Sequence, residues 1–593
     1  MNVEDHSPPE PSSRAKRLAL PKLLIIPERW RAGHVASPAW SLAVLLVLVV
    51  ILVPIVTLGL LAAVPNENIW PHLAGTVLPR ALNQTALLVL GVGALTLVGG
   101  TATAWLVTMH RFPGRALADR LLVIPLAMPT YIVAYCYADL LDVAGPLQTA
   151  LRDSFGWRTT RDYWFPDIRS LGGAVFVLSV TLYPYVYLAA RASFVQQSIC
   201  ALEVARTLGR TPLGTLWSVG LPLARPALVA GVSLALMECL NDLGAVQHLG
   251  VETLTVSIYA TWLQRSNLGG AAQLAMVMLL IIGALFALER AARGRRRFHH
   301  TTGRYRSIPF SELEGWRGFA ATAACLTPFA LGFLVPVGVL IRPALRYGPE
   351  VLLAPFLSAA ANTIVLATLA ALLAIALAVL LAYARRVAPS WPTDAAVQTA
   401  GIGYAVPGTV LALGLLVSLA SIDNALDAFL RERSGLSVGL LLSGSIAALV
   451  LAYTIRFLAV ALGSVDAGFQ RISPNLDAAA RALGHTPIAA LWRVHLPILM
   501  PALGAGGLLV FVDAMKELPA TLLLRPFNFE TLATRVYNFA ALEQFEQTAP
   551  GALAIVAAGL IPVLMLHRAV AGGRAGAGSR QLRNWWKRGT RLS

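Results

Sequence analysis

Four carboxylates stand in two matched pairs within strongly apolar parts of the sequence. Glu238 and Asp242 are four residues apart, and Asp513 and Glu517 repeat that spacing in the second part of the chain. A spacing of four puts both members of a pair on one face of a helix. Each acid costs about 2.5–3.5 kcal/mol at the centre of a bilayer, so the pairs should face the bundle interior or water. Because hard cations prefer oxygen ligands, the pairs could line a passage for such an ion.

A structural interpretation of the same residues stays open. Lys516 lies three residues from Asp513 and next to Glu517, and Asn241 takes the place of Lys516 in the first pair. These groups could satisfy one another near an outer gate without touching a substrate. No metal ligand set is assigned. The candidates for a substrate path or gate are Glu238, Asn241, Asp242, Asp513, Lys516 and Glu517.

The sequence contains no recognisable catalytic motif. No Gly-x4-Gly-Lys-Ser/Thr phosphate loop occurs, so the chain itself should not bind ATP. We find no nucleophile–base constellation and no His-Glu-x2-His motif. The four cysteines have neither metal-site nor disulfide-framework spacing and are interpreted as packed thiols. We therefore predict a protein that is not an enzyme, with no catalytic residue and no cofactor bound by this chain.

The elements that carry the acids are predicted to be membrane-spanning helices. The chain has 593 residues, 57% hydrophobic and 13% charged, and its mean hydropathy is +0.67. A soluble protein carries about 25% charged residues. The apolar residues form blocks of roughly 20, the length that crosses the hydrocarbon. We predict an all-α polytopic membrane protein in a lipid bilayer. Its twelve spans lie near 41–64, 84–108, 121–143, 171–194, 223–246, 269–289, 318–342, 360–384, 395–420, 436–463, 498–521 and 549–567.

Basic residues gather at the ends and in the middle of the chain. The net charge is +17, and arginines are concentrated in the tails, residues 1–38 and 568–593, and in the linker, residues 291–317. Two sets of six spans put both tails and the linker on the same side of the membrane. The positive-inside rule makes that side cytoplasmic. The charge therefore requires no nucleic-acid partner. The two predicted membrane domains are residues 39–290 and 318–567, in the same orientation.

A polar segment at 203–222 has a counterpart at 477–497, displaced along the chain by the same offset as the two acid pairs. Gly209 should end a first helix, and Thr211-Pro212 should cap and begin a second one. Pro222 should break that second helix before the next span. One copy alone is compatible with an amphipathic helix resting on lipid. Two copies in register favour a protein-docking surface on the cytoplasmic side.

The repeat extends beyond the polar segments. Three further pairs of landmarks occur in the same order in both halves, which supports duplication. Residues 83–85 match 362–363, residues 126–134 match 404–412, and residues 252–259 match 530–537.

The polar segments resemble the EAA signature of ABC importer permease subunits. The first reads Glu203-x-Ala205-x3-Gly209-x9-Val219-x-Leu221-Pro222. The second keeps the spacing but has Ala478 where the family has Glu, with Asp477 adjacent. The resemblance implies two coupling loops that sit in grooves of a cytoplasmic ATPase. The coupling residues that it implies are Glu203, Ala205, Gly209, Pro212, Trp217, Leu221, Pro222, Ala480, Gly484, Pro487, Trp492, Leu496 and Pro497.

The same resemblance implies partners, location and mechanism. Permeases of this type I importer class work with two copies of an ABC ATPase, which binds ATP and Mg²⁺, and with a periplasmic substrate-binding protein. They lie in the bacterial inner membrane. For this chain we expect both termini in the cytoplasm and alternating access driven by the ATPase.

The substrate prediction rests on a closer resemblance. Residues 237–262 and 513–537 are similar to the fused permeases of ferric-iron uptake systems, a group near thiamine and phosphonate permeases. The resemblance therefore implies ferric iron as the substrate. Thiamine, phosphonate and polyamine are alternatives on the same architecture. The alternative class is a secondary transporter driven by an ion gradient, which would leave the repeated polar segments without a role.

Overall fold

The computed structural model describes residues 38–65, 67–196, 205, 207–293, 311–346 and 354–571. Glu203 and nearly all of the predicted basic tails, residues 1–37 and 572–593, lie outside the described residues, as does most of the linker. We refer to residues 38–293 as the first half and to residues 315–571 as the second half.

The described chain is almost entirely helical. Its helices are α1 (Pro38–Ala63), α2 (Trp70–His72), α3 (Leu78–Met109), α4 (Arg115–Leu121), α5 (Thr130–Leu141), α6 (Pro146–Phe155), α7 (Leu171–Gln196), α8 (Pro212–Thr215), α9 (Leu221–Asn241), α10 (Gly244–His248), α11 (Leu254–Leu263), α12 (Leu268–Arg293), α13 (Gly315–Phe329), α14 (Val335–Arg346), α15 (Ala354–Val387), α16 (Trp391–Ile402), α17 (Gly408–Ser434), α18 (Ile446–Phe469), α19 (Pro474–Ala482), α20 (Pro487–Ala490), α21 (Leu496–Met515), α22 (Pro519–Leu524), α23 (Leu532–Ala541) and α24 (Phe545–Ala571). The π-helical segments are Leu73–Val77, Leu216–Gly220, Ala330–Leu334 and Leu491–His495, and the 3₁₀ turns are Ile124–Ala127 and Gly403–Ala405. Strands β1 (His110–Arg111) and β2 (Ser311–Glu312) pair in parallel.

The number of spans agrees with the prediction. Eleven helices in the described part are long and apolar enough to cross a membrane, or twelve if the bent pair Arg115–Ala127 and Thr130–Phe155 is one span. The all-α, polytopic fold class is therefore confirmed.

Two predicted spans, 121–143 and 395–420, are not continuous helices, and in this the prediction was wrong. The first is bent by 95° at its break. Both breaks fall at an X-Pro step, where Pro129 and Pro407 have nearly the same extended backbone, with ψ of 138° and 143°. Proline disfavours the helical conformation of the residue before it, and Met128 accordingly is extended.

The predicted helix break at Pro222 was also wrong. The helix of the polar segment continues through the π segment Leu216–Gly220 directly into α9. In this segment the N–H of Leu221 bonds to the carbonyl of Leu216, five residues back. The wider turn gives room for a proline ring, which has no N–H to donate to the carbonyl four residues back. The second half repeats this arrangement before Pro497.

The first span of each half packs against the other half. The carbonyl of Pro54 in α1 lies so close to Gly414 of α17 that a Cβ there would be 2.4 Å from the oxygen. At Gly332, between α13 and α14, a Cβ would be 2.2 Å from the carbonyl oxygen of Val180 in α7. Any side chain at either glycine would clash with main chain. The halves therefore interlock and form one bundle.

Both polar segments lie at one end of the bundle, which we call the loop face. Gly220 packs against Trp105 near the end of α3, and Tyr383 near the end of α15 donates a hydrogen bond to the carbonyl of Pro487. Strand β1 follows α3 and pairs with β2, from which α13 and α14 cross the bundle and α15 returns. The loops before α7 and after α17 are at the opposite face.

A pair of threonine contacts fixes corresponding parts of the two halves. The buried hydroxyl of Thr85 accepts the N–H of Leu254 at 3.0 Å, and that of Thr363 accepts the N–H of Leu532 at 2.8 Å. Each contact joins a long span to the first turn of a shorter helix.

We expect Thr85→Val and Thr363→Val each to lower stability by about 1–3 kcal/mol, because each leaves a buried N–H without an acceptor. The control is Thr96→Val, since Thr96 is equally buried in α3 but donates to carbonyls of its own helix. Thermal unfolding of the chain in detergent would rank the three variants by stability. A control as destabilising as the other two would contradict the assignment.

Candidate functional site

The turns of the two polar segments have the same geometry. Gly209 and Gly484 are in the left-handed region, with φ of 79° and 76°. The residue after each glycine donates its N–H to the carbonyl of the segment's buried alanine, Ala205 or Ala480, at 3.0 Å. This pattern is a helix C-terminus closed by glycine. It agrees with the helix end predicted at Gly209.

The cap of the second short helix is also repeated. The hydroxyl of Thr211 accepts the N–H of Gly214, and that of Thr486 accepts the N–H of Ala489. Beyond the cap, each segment continues into its span through Leu221-Pro222 or Leu496-Pro497. Pro212 and Pro487 are the first residues of their helices.

Both segments expose large apolar side chains. Trp217 and Trp492 are each 67% exposed, and Leu208 and Leu483 are each 77% exposed. Large apolar side chains clustered with this exposure mark an interaction site. We call these residues, with Ile488, the loop surface.

The second segment is tied to the bundle by a carboxylate. Asp477 accepts from Arg386 of α15, at 2.8 Å from Nε and 2.6 Å from Nη2, and its other oxygen lies 2.8 Å from Nε2 of buried His495. Arg386 also donates to the carbonyl of Phe469. In the first copy of the repeat, Leu202 takes the position of Asp477. The acid beside the unusual Ala478 thus holds its own segment in place.

All six candidates for a substrate path line one cavity of about 90 Å³ at the centre of the bundle. The wall also includes Pro129, at the first helix break, and Tyr404, in the 3₁₀ turn at the second. A larger cavity of about 420 Å³ adjoins it and shares Tyr185, Asp513 and Lys516. The site therefore lies where the two halves meet.

Two of the four acids are helix caps. Asp242 accepts the N–H groups of Ala245 and Val246 in α10 and a hydrogen bond from the hydroxyl of Thr130. Glu517 occupies the equivalent position for α22. It accepts the N–H groups of Ala520 and Thr521. These contacts support the structural interpretation for both residues.

A buried arginine that the sequence analysis did not single out organises the site. Arg456 of α18 donates to the side-chain oxygen of Asn241 at 2.7 Å and lies 4.0 Å from Glu517. Asn241 also accepts the N–H of Gly408. The signal was available, because a single arginine within an apolar span is costly and needs a partner. Asn241 thereby connects the first half to two helices of the second half.

Glu238 and Asp513 cap no helix. Glu238 accepts a hydrogen bond from the hydroxyl of Tyr404 in the second half, and Asp513 lies 2.9 Å from the ammonium of Lys516. With all groups ionised, the cavity wall carries four negative and two positive side chains. Among the described residues, no three His, Cys, Asp or Glu side chains form a ready metal site. The wall can attract a cation but does not enclose one.

A duplicated bundle of membrane-spanning helices, with matching polar loops at one face and a polar cavity between the halves, is the architecture of a transport permease. Residues 96–297 match the family described as binding-protein-dependent transport system inner membrane component. Over 498 residues the chain is 26% identical to the Fe(3+)-transport system permease protein FbpB 2 of Haemophilus influenzae, which covers 82% of this chain and 89% of that protein.

Other relatives match about one third of the chain. The molybdenum transport system permease protein ModB of Escherichia coli is 30% identical over 235 residues, 36% of this chain and 96% of that protein. The putative 2-aminoethylphosphonate transport system permease protein PhnU of Salmonella choleraesuis is 28% identical over 200 residues, 33% of this chain and 68% of that protein. The chain belongs to the binding-protein-dependent permease family and is an ABC importer permease.

We expect Glu517→Gln to destabilise the chain much more than Asp242→Asn. Asparagine is as good a cap as aspartate, so Asp242→Asn should cost little. Glu517→Gln removes the carboxylate beside buried Arg456 and should cost about 3 kcal/mol. Thermal unfolding in detergent would compare the two.

Arg456→Thr in the Glu517→Gln background is the matched control, because Thr181 is the counterpart of Arg456 in the first copy of the repeat. Removing both charges should recover part of the stability. Equal losses for Asp242→Asn and Glu517→Gln would show that the charge pair is not the cause.

Proposed function

We propose that this permease translocates ferric iron. The observation that carries the proposal is the match to FbpB 2, which extends over both halves and not over one. The excess of carboxylates on the cavity wall supports it, since hard cations prefer oxygen ligands. The absence of a closed ligand set in the described residues suits a passage, from which an ion must also leave.

In this proposal, the ATP-driven movement of the ATPase subunits acts on the permease at the loop surface. Two cytoplasmic ATPase subunits dock on the segments around 203–222 and 477–497, and ATP binding brings them together. Because each segment is continuous with α9 or α21, its displacement reaches the acids at the far end of the same helix. From Trp217 to Glu238 this is roughly 32 Å of helix. Only a difference in stability between the two arrangements of the halves, imposed by ATP, can drive the change.

The orientation follows from charge. On the loop face, Arg111 and Arg115 follow α3, and Arg385 and Arg386 lie in the last turn of α15. We place this face in the cytoplasm because cytoplasmic loops are rich in arginine and lysine. A periplasmic binding protein then delivers substrate to the opposite face. Family membership removes the alternative of a secondary transporter driven by an ion gradient.

An oxyanion is the second candidate substrate. The relatives named for molybdenum and for 2-aminoethylphosphonate transport support it. In the described part of the site, Nε of buried Arg456 has no hydrogen-bond partner and could bind an anion's oxygen.

Substrate choice is tested by reconstituting the chain in proteoliposomes with the ATPase and binding protein that copurify with it. We expect ATP-dependent uptake of radiolabelled ferric iron and none of molybdate or 2-aminoethylphosphonate. ATP-dependent uptake of either anion without iron would overturn the iron assignment while leaving the importer mechanism intact.

We expect Trp217→Ala and Trp492→Ala each to weaken binding of the ATPase subunit by roughly 30-fold, because exposed tryptophans at the centre of an interface contribute about 2 kcal/mol. Trp164→Ala is the control, since Trp164 is exposed on the opposite face. Titration of the detergent-solubilised chain with the ATPase measures the affinities. Unchanged affinity in the Trp217→Ala, Trp492→Ala double variant would refute docking at the loop surface.

A further inference from the structure

Three neighbouring aromatic side chains next to the cavity carry polar atoms that have no partner. Tyr131 and Tyr135 lie on one face of α5 with ring centroids 5.9 Å apart, and Tyr135 meets the ring of His248 at 4.5 Å. Tyr131 and Tyr135 are 4% and 2% exposed. Their hydroxyls, and Nε2 of His248, are buried without a hydrogen-bond partner among the described residues. Buried polar groups are normally paired, so three in contact require an explanation.

These side chains form a row that leads from the cavity toward the opposite face. Tyr131 lines the cavity together with Asp242 and Glu517. Helix α5 starts at the break and runs away from the loop face, and α10 runs beside it, with Gly244 against Tyr131 and His248 against Tyr135. The row therefore begins at the acids and extends outward.

The row borders the boundary between the halves. Tyr537 of α23, in the second half, donates a hydrogen bond to the side chain of Gln247, which precedes His248. When the halves separate at the opposite face, the hydrogen bond between Tyr537 and Gln247 must break. The unpartnered hydroxyls would then face the opened space.

The fold itself does not require polar side chains at the positions of Tyr135 and His248. Tyr135 lies six residues after Pro129, and Leu413 lies six residues after the matching Pro407. His248 lies six residues after Asp242, and Leu523 lies six residues after the matching Glu517. The second half thus places leucine at the two equivalent positions, both in the same kind of helix. Tyr131 corresponds to Thr409, whose hydroxyl is also buried without a partner among the described residues, so the contrast between the halves lies at Tyr135 and His248.

We propose that Tyr131, Tyr135 and His248 form a transient ferric-ion site in the outer segment of the substrate path. This inference rests on the proposed function. Phenol oxygens are hard ligands, and each phenol releases its proton to water when its oxygen coordinates the ion. Two phenolates reduce the charge of Fe³⁺ from +3 to +1, which eases its passage through a low-dielectric region. The carboxylate-lined cavity at the inner end of the row receives the ion next.

The test replaces the two hydroxyls by Tyr131→Phe and Tyr135→Phe, singly and together. The control is Tyr137→Phe on the same helix, because the hydroxyl of Tyr137 donates to the carbonyl of Leu331 and lies off the row. We expect the double variant to take up ferric iron at least about tenfold more slowly than wild type, and the control to take it up normally. Titration of the solubilised chain with ferric citrate should give a phenolate-to-iron absorption band that the double variant lacks.

Stability gives a second measurement. An unpartnered hydroxyl contributes no hydrogen bond, so the double variant should unfold at the same temperature as wild type or higher, whereas Tyr137→Phe should unfold at a lower one. A lower unfolding temperature in the double variant would mean that the hydroxyls hold structural water, and would overturn the proposal.

The remaining outcomes separate the two proposals. Normal iron uptake by the double variant, with wild type transporting iron, would eliminate the ferric site alone. Failure of wild type to transport iron would eliminate the iron assignment, and the ferric site with it.

Discussion

Compensation of buried charge within the membrane is the constraint on which the centre of this bundle depends. Asp242 and Glu517 obtain it from the N–H groups at the starts of α10 and α22, and Arg456 obtains it from Asn241 and Glu517. Such N–H groups are free only where a helix begins. The interruption of helices near the membrane centre therefore supplies the partners that the charges need, and the cavity forms at those interruptions.

The loop surface and the cavity are connected because two helices are not interrupted. The π segments let α9 and α21 start from the polar segments in spite of Pro222 and Pro497. In the proposed mechanism, this continuous helical connection carries a displacement of the polar segments to the acids. Helices are thus interrupted at the cavity, whereas α9 and α21 are continuous between the cavity and the loop surface.

The two halves share a backbone plan but only part of their chemistry. Gly209 and Gly484 make the same turn, yet Asp477 is anchored to Arg386 while Leu202 stands at the equivalent position. Arg456 has Thr181 as its counterpart. Duplication preserved the residues that set backbone geometry. The four cavity acids recur as well, but Lys516 has Asn241 as its counterpart, so the cavity has two unlike sides.

Local information in the sequence determined the helical class, the approximate number of spans, the duplication and the glycine turns. The class, the spans and the turns follow from hydropathy and from the conformational limits of glycine, which act within a few residues, and the duplication follows from motifs repeated at a constant offset. The sequence also predicted that the six polar candidates matter, and all six line the cavity. Only the tertiary structure decided that Asp242 and Glu517 are caps, that Arg456 joins Asn241 to Glu517, and that Glu238 meets Tyr404 across the halves. Those roles depend on which side chains meet from positions as far apart as 238 and 404, and no local pattern encodes such contacts.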